Sequence, residues 1–292
     1  MGGFTPFNFE VTKLLKQTDN FLIVKVDNKR IKEGVPTLNT DWWNYGGLTR
    51  EVKLVETSEN FIQDYFIQLD PNDNRKIKGY VILNGVNVAY QNVQIHIPQL
   101  NIKKTLVTEK DGLVSFEIAS NKIKYWTVED PILYKVSLQT EEDEITDQIG
   151  FRSISTKGAH ILLNQKPIFL KGISIHEESP IHKGRAYSEE DAEQLLHWAK
   201  ELGCNFIRLA HYPHNEHMVR LADKMGLLVW EENPVYWTIS WDNKETYENA
   251  ENQLSEVINR DKNRASVIIW SMANETPSSE ARNIFLTQLA NY

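Results

Sequence analysis

The hydrophobic pattern of the chain changes its period near residue 164. Between residues 58 and 152, short apolar and alternating segments are separated by turn-forming residues, as in YFIQLD, GYVILNG, VQIHIP and LYKVSLQT. Strands at this spacing, without a helical period, are typical of an all-β sandwich. Asp111-Gly112 predicts a hairpin turn between two of the strands. Short alternating segments such as FLIVKV (21–26) also dominate residues 7–57.

After residue 164, apolar strands alternate with amphipathic helices. The pattern predicts strands at 168–173, 205–210, 227–232 and 267–270, and helices at 188–202, 216–225, 245–260 and 279–291. Ser188 is a suitable cap for the first helix, and Gly203 is a suitable end for it. Strict alternation of strand and helix indicates parallel strands joined by right-handed crossovers.

Polar residues gather directly after each of these strands. They are His176-Glu177, His211-Tyr212, Glu231-Glu232-Asn233 and Asn274-Glu275. Polar groups at the carboxyl ends of successive strands favour a (β/α)8 barrel, and no glycine-rich phosphate turn supports the alternative, an open doubly wound sheet. Four βα units are half of the eight that a barrel requires.

Composition excludes several classes of function. The 292 residues include 41% hydrophobic and 25% charged residues, which is ordinary for a globular protein of two or three domains. A net charge of −8 argues against a nucleic-acid or anionic membrane surface. No apolar run is long enough to span a membrane. The single cysteine, Cys204, rules out an internal disulfide.

Asn274 and Glu275 interrupt an apolar strand and are the strongest candidates for chemistry. A carboxylate at the edge of a buried strand suits general acid catalysis, and the amide beside it can bind a substrate hydroxyl. The alternative is that one of them caps the helix that follows Pro277.

His176 and His211 end the first two predicted strands. They either bind substrate hydroxyls in one cavity or fill the rim as hydrogen-bonded core residues. A metal site formed by His211, His214 and His217 is a further alternative, although their spacing fits no common zinc pattern. Glu232 is a weaker candidate for a nucleophile, because a carboxylate at this rim more often forms an ion pair.

Several stretches of the chain resemble glycoside hydrolase family 2, the β-galactosidase and β-glucuronidase group. They are DWWNYGGLTREV (41–52), YWTVEDPILYKV (125–136), IGFRSI (149–154), FLKGISIHEE, IRLAHYPHNEHMVRLADKMGLLVWEENP and NRASVIIWSMANETP. The His-Tyr-Pro segment together with the Asn-Glu pair makes the resemblance specific. It implies the end of a sugar-binding jelly roll at residues 1–57, an immunoglobulin-like sandwich at 58–153 and the first half of a catalytic (β/α)8 barrel at 154–292.

The resemblance also implies roles for single residues. Glu275 corresponds to the family's acid/base, and Asn274 to the residue that binds the hydroxyl next to the anomeric carbon. His176 and His211 correspond to residues that contact the sugar or stabilise the transition state. Asp41 corresponds to an aspartate that reaches from the jelly roll to bind sugar hydroxyls, although from the residues alone it would be a surface turn.

Two departures from the family pattern matter. The metal-binding Glu and His of its magnesium-dependent members are missing from PVYWT (234–238), so we expect neither metal nor other cofactor. The family nucleophile lies on a late barrel strand, which these 292 residues do not reach. We therefore expect a part of a retaining exo-β-glycosidase for a carbohydrate substrate, as an oligomer or with the remainder of the same protein. The alternative is a non-catalytic carbohydrate-binding or assembly protein.

Overall fold

The computed structural model describes residues 3–292, and its first folded unit is a sandwich of antiparallel strands. The strands are β1 (Asn60–Leu69), β2 (Lys76–Gly85), β3 (Asn92–Ile97), β4 (Ile102–Val107), β5 (Leu113–Ala119), β6 (Tyr134–Gln139) and β7 (Glu144–Ile149). One sheet has the order β1-β2-β5 and the other the order β4-β3-β6-β7. Strand β2 buries Ile77, Val81 and Leu83 between the sheets, following the two-residue period of a strand. The predicted sandwich is confirmed.

The turn at Asp111-Gly112 forms, but it does not close a hairpin. Gly112 has a φ of +83°, and the backbone N–H of Leu113 donates to the Asp111 carboxylate at 3.1 Å. The preceding strand β4 and the following strand β5 belong to different sheets, so the hairpin prediction was wrong. Turn residues specify a change of direction, whereas the pairing partner is decided by the core that each strand covers.

Residues 3–59 lie against the rest of the molecule without forming a strand. Their one regular element is a 3-10 helix at Thr12–Leu14. The alternating segment FLIVKV is exposed and unpaired with any strand in residues 3–292. The prediction of a jelly-roll end at residues 1–57 stays a prediction, and Met1 and Gly2 lie outside the described residues.

A small antiparallel sheet links the sandwich to the helical part of the chain. It consists of β8 (Ile154–Lys157), β9 (His160–Leu163) and β10 (Lys166–Ile168), in the order β10-β9-β8. The predicted strand at 168–173 was therefore misplaced. Its first residue ends β10, and the parallel strand is β11 (Gly172–Ile175).

Four parallel strands and four helices make up the C-terminal part. After β11 come β12 (Glu178–Ser179) and β13 (Gly184–Arg185), which pair with each other, then α1 (Glu189–Glu201), β14 (Phe206–Leu209), α2 (Glu216–Met225), β15 (Leu228–Glu232), α3 (Lys244–Asp261), β16 (Val267–Ser271) and α4 (Glu280–Ala290). The parallel sheet has the order β11-β14-β15-β16. This order follows the chain without the reversal that a doubly wound sheet requires. Within residues 3–292 no helix combines the length and the apolar composition needed to cross a membrane.

The predicted helix ends are confirmed. Ser188 accepts from the backbone N–H of Asp191, whose carboxylate in turn accepts from the Ser188 N–H, forming a reciprocal capping box. Gly226 ends α2 with a φ of +67°, and a Cβ at this position would lie 2.2 Å from the carbonyl oxygen of Val128. Glycine is needed there both for the left-handed turn and for the close approach of the sandwich.

The sandwich forms hydrogen bonds with the turn between α3 and β16. Asn263 accepts from the backbone N–H of Ile67 at 2.9 Å and donates to the carbonyl of Tyr65 at 3.0 Å. Arg152 donates to the carbonyl of Val267 at 2.6 Å. These bonds join the sandwich directly to the first residues of β16.

A buried ionic cluster lies at the same junction. Arg264 forms ion pairs with Asp147 of the sandwich and with Asp223 of α2. Asp223 also accepts from the backbone N–H of Ser266 at 2.7 Å, and its carbonyl accepts from the Trp126 indole at 2.8 Å. Burial raises the pKa of Asp223 to about 6, although Arg264 acts in the opposite direction.

Candidate active site

Three of the predicted site residues meet at the carboxyl ends of the parallel strands. His176 follows β11, His211 follows β14, and their ring centroids are 5.4 Å apart. Asp41 reaches them from the N-terminal segment. One carboxylate oxygen of Asp41 and one nitrogen of each imidazole lie within 4.8 Å of one another. The pocket is the place where parallel strands deliver their polar ends.

Arg208 and Glu232 support this cluster from the interior of the sheet. Arg208, on β14, donates to both oxygens of Glu232 at 2.9 and 2.7 Å, and its guanidinium lies 4.9 Å from the Trp230 ring centroid. Nδ1 of His211 lies 2.7 Å from Oε1 of the same carboxylate, an oxygen that Arg208 also contacts. The same Nδ1 also lies 3.1 Å from the guanidinium of Arg208. Glu232 therefore forms the ion pair that the sequence favoured over a nucleophile.

Asn274 is buried at the end of β16 and shares the same arginine. Its side-chain oxygen accepts from Arg208 at 2.5 Å, and its backbone N–H donates to Val235 at 2.9 Å. The side-chain NH2 group is buried without a partner among residues 3–292. Asn274 does not cap α4, because Ser279 accepts from the backbone N–H of Arg282. The capping alternative was wrong.

Glu275 stands at the rim and is exposed, not enclosed at the edge of a buried region as the strand pattern suggested. Its carboxylate accepts from the Trp237 indole at 3.0 Å. Both residues have left-handed backbones, with φ values of +50° for Glu275 and +51° for Trp237. Such backbones cost of order 1–3 kcal/mol in non-glycine residues and are concentrated at functional sites.

Two buried aromatic side chains pack against the histidine cluster. Trp42 is 7% exposed, and its ring centroid lies 4.8 Å from that of Tyr236 and 6.1 Å from that of His211. Tyr236 is fully buried. Burial raises the pKa of the Tyr236 hydroxyl, and the carboxylates of Asp41 and Glu275 raise it further. Both carboxylates therefore act on one hydroxyl group.

His176 is held by its surroundings in the neutral form. Burial and then the neighbouring His211 lower the pKa of His176. Its Nδ1 lies 3.5 Å from the hydroxyl of Tyr212, which accepts from the backbone N–H of Glu177 at 3.2 Å. Each histidine has one ring nitrogen next to a protein group, so the choice between substrate binding and a hydrogen-bonded residue of the rim stays a prediction.

An ion-pair cluster beside the pocket anchors the N-terminal segment. The buried carboxylate of Glu177 accepts from Arg50 at 2.7 Å and from Arg185 at 3.2 Å. The guanidinium of Arg185 also lies 5.0 Å from the ring centroids of Tyr45 and Tyr212. The segment that carries Asp41 is thus tied by Arg50 to Glu177, which follows β11.

The alternative metal site formed by His211, His214 and His217 is not assembled. His214 is buried and its Nε2 lies 3.0 Å from the carbonyl of Ala210. In residues 3–292 the one group of histidines and carboxylates close enough for a common ion is Asp41, His176 and His211.

Sequence reasoning missed Arg208, Trp42 and Tyr236. Arg208 could have been noticed, because it is a charged residue in the middle of the apolar strand NFIRLA and such a charge is unusual in a buried parallel sheet. Trp42 and Tyr236 carried no comparable signal, because an aromatic residue is equally common in any core.

Comparison with protein families gives two matches on this chain. Residues 154–289 match the model described as "Glycosyl hydrolases family 2, TIM barrel domain". Residues 60–152 match the model described as "Glycosyl hydrolases family 2". The two matches divide the chain at the boundary between the sandwich and the βα units.

Individual relatives agree with these matches. The chain is 32% identical to a β-galactosidase of Thermoanaerobacterium thermosulfurigenes over 96% of its own length and 42% of the relative's. It is 29% identical to a putative β-glucuronidase of Formosa agariphila, over 99% of its own length and 37% of the relative's. The chain therefore spans less than half the length of these two relatives.

Solved structures share the fold. A family 2 β-galacturonidase from Eisenbergiella tayi, bound to galacturonate, superposes with a TM-score of 0.81 and 27% identity, over 91% of this chain and half of that one. A β-glucuronidase from Bacteroides uniformis superposes with a TM-score of 0.77 and 26% identity, over 91% of this chain and 36% of the other. Together with the two family models and the site geometry, these similarities show that the chain belongs to glycosyl hydrolases family 2.

Proposed function

We propose that this chain carries the acid/base part of a retaining exo-β-glycosidase that acts on a terminal β-linked galactose or uronic acid. The observation that carries the proposal is the convergence of Asp41, His176 and His211 at the strand ends, with Asn274 and Glu275 on the same edge. Glu275 is the proton donor to the leaving oxygen, because it is the exposed carboxylate that follows β16, beside Asn274.

The polar groups around the pocket suit a sugar ring. The NH2 group of Asn274 is a buried donor without a protein partner, a situation that costs about 1–3 kcal/mol and that a sugar hydroxyl relieves. Its orientation is set by Arg208, which occupies the amide oxygen. Asp41 accepts hydroxyl protons, and His176 and His211 offer their remaining ring nitrogens. The aromatic ring of Trp42 supports an apolar sugar face.

We propose that the nucleophile is a carboxylate outside these 292 residues. Retention requires a second carboxylate about 5–5.5 Å from the acid. Glu232 is bound by Arg208 and His211, and Glu177 is bound by Arg50 and Arg185. Both are buried and fully engaged in ion pairs, which makes them poor nucleophiles.

We also propose the domain boundaries that the family resemblance implies. Residues 1–57 then form the end of a jelly-roll domain, residues 58–153 an immunoglobulin-like sandwich, and residues 154–292 the first half of a (β/α)8 barrel. The chain-order arrangement of β11, β14, β15 and β16 supports the last of these.

Calorimetric titration with galactose, glucuronate and galacturonate tests the sugar site. We expect at least one of them to bind, and we expect Asp41→Ala and Asn274→Ala each to weaken binding at least about ten-fold, the loss of one strong hydrogen bond. Glu201→Gln, on the exposed end of α1, is the matched control and should leave binding unchanged. If none of the three sugars binds, or if both pocket variants bind like the control, the proposal fails.

An assay with nitrophenyl β-glycosides tests the assignment of catalytic roles. We expect no turnover by the purified chain, because it lacks the nucleophile. If the wild-type chain hydrolyses a substrate and Glu275→Gln does not, Glu275 keeps its role as the acid. The nucleophile would then lie within the chain, contrary to the proposal. Turnover that survives this substitution would overturn the role of Glu275. Sugar binding by a longer form of the protein without any hydrolysis would favour a carbohydrate-binding function.

A further inference from the structure

The pocket holds one carboxylate and two imidazoles at a spacing that suits a cation. One oxygen of Asp41 and one nitrogen each of His176 and His211 lie within 4.8 Å of one another, and no other group of three or more such side chains in residues 3–292 does so. We propose that these three side chains form a zinc-binding site that competes with the sugar.

The ligand set matches the chemistry of zinc. Zinc binds imidazole nitrogen at about 2.0–2.1 Å and carboxylate oxygen at about 2.0–2.2 Å, and three protein ligands with one open position are typical of accessible sites. In a tetrahedral arrangement with these bond lengths, the ligand atoms lie about 3.3 Å apart. The ligand atoms must therefore approach one another by up to about 1.5 Å. Asp41 lies on an exposed bend and can supply that movement.

The surroundings of His211 are those of a metal-binding imidazole. Its Nδ1 lies 2.7 Å from Glu232, and in the proposed site Nδ1 holds the proton while Nε2 supplies the lone pair. A carboxylate that holds the far side of an imidazole ligand fixes the ring and increases its basicity, and zinc sites use this arrangement widely. The adjacent charge of Arg208 is balanced by the same carboxylate.

His176 is oriented in a similar way by a neutral group. Its Nδ1 faces the Tyr212 hydroxyl at 3.5 Å, and Tyr212 is fixed by the backbone N–H of Glu177 and by stacking on Phe4, with ring centroids 4.6 Å apart. The ring is thus positioned before any ion arrives. Two oriented imidazoles and a carboxylate favour zinc over magnesium or calcium, which prefer oxygen ligands.

Competition with the sugar follows because both ligands use the same three side chains. This second step rests on the proposed function, whereas the binding of zinc itself does not. In an enzyme that contains this chain, zinc would act as an inhibitor that occupies the sugar site.

Calorimetric titration of the metal-free chain with zinc chloride tests the site. We expect one zinc ion to bind per chain. We expect Asp41→Asn, His176→Gln and His211→Gln each to lower the affinity for zinc at least about ten-fold, because loss of a group that only supports a ligand already lowers metal affinity about 10–100-fold. His197→Gln is the control, because His197 is an exposed histidine beside Glu201 on α1. Absence of zinc binding, or equal affinity in the three pocket variants and the control, would overturn the proposal. Asp41→Asn guards against a folding artefact, because Asp41 lies on an exposed bend outside every strand and helix.

A second titration, with galacturonate present, separates the two proposals. Weaker apparent zinc affinity in the presence of the sugar supports a shared site. Zinc binding that depends on the three side chains in a chain that binds no sugar would leave the zinc site standing and contradict the proposed function. Sugar binding that leaves the zinc affinity unchanged would overturn the competition.

Discussion

The pocket is assembled from two regions that are held in place by different means. The strand region contributes Arg208, His211, Glu232 and Asn274, which are linked by short hydrogen bonds at the end of a parallel sheet. The N-terminal segment contributes Asp41 from a stretch without strands. Sheet register positions the first group, whereas the second depends on a few anchoring contacts. One half of the pocket is therefore part of the fold, and the other half is docked onto it.

The largest effect should come from breaking the strand region at Arg208. Arg208→Met leaves the fully buried Glu232 without its main partner, and losing one member of a buried pair costs about 3–5 kcal/mol. We expect a matching loss in the free energy of unfolding, measured by chemical denaturation. Arg220→Met is the control, because Arg220 is 44% exposed and its partner Asp147 keeps Arg264, so about 0–1 kcal/mol is expected. Equal losses in both variants would show that the Arg208 cluster is not a fixed part of the fold.

Release of the segment should follow from Trp42→Ala. Trp42 is the buried aromatic residue that docks the segment on Tyr212 and Tyr236, and removing such a side chain costs about 3–5 kcal/mol where it is packed. We expect faster proteolysis within residues 3–59 with little change in the unfolding midpoint of the remainder. Trp43→Ala is the matched control, since Trp43 is 71% exposed. Loss of the whole fold in Trp42→Ala would contradict a docked segment.

A pH effect of intermediate size is expected at Asp223, under the first residues of β16. Its pKa is about 6 in the folded chain and about 3.8 as a free side chain, so the folded state binds the proton more tightly. The contribution of Asp223 to the free energy of unfolding is fully present below pH 3.8. It is lost as the pH rises through about 6, and the total loss is roughly 3 kcal/mol. Denaturation of the wild type and Asp223→Asn between pH 4 and pH 7 measures it. Parallel pH profiles for the two proteins would rule this contribution out.

The smallest effect should come from Arg50→Met. Glu177 keeps Arg185 after this substitution, so we expect a loss of about 1 kcal/mol in docking of the segment. Proteolysis of residues 3–59 should accelerate less than in Trp42→Ala. Lys53→Met, which removes an exposed pair with Glu51, is the control. A stronger effect for Arg50→Met than for Trp42→Ala would make the ion pair, and not the aromatic contact, the main anchor.

The sequence predicts the strand region well because its signals are local. Ser188 and Gly226 mark helix ends through their own backbone requirements, and polar residues after apolar strands mark the pocket. Parallel pairing then brings His176 and His211 together without further information.

The sequence predicts the N-terminal segment poorly because its signals are not local. FLIVKV alternates like a strand, yet a strand forms only where a neighbour supplies hydrogen-bonding partners. The proximity of Asp41 to His176 depends on docking across more than a hundred residues of chain, which no periodicity encodes. The misplaced strand at 168–173 has a similar cause, since one apolar run serves two sheets.

The hydrogen bonds between the sandwich and the turn before β16 connect this domain to the proposed site. Asn263 and Arg152 fix where β16 begins, and Asn274 and Glu275 follow at its far end. One residue more or less between these points would shift Asn274 and Glu275 along the strand by about 3.3 Å. The sandwich thus fixes the height of the proposed acid above the sheet, and we expect recombination with another chain of this architecture to exchange the two domains as a single block.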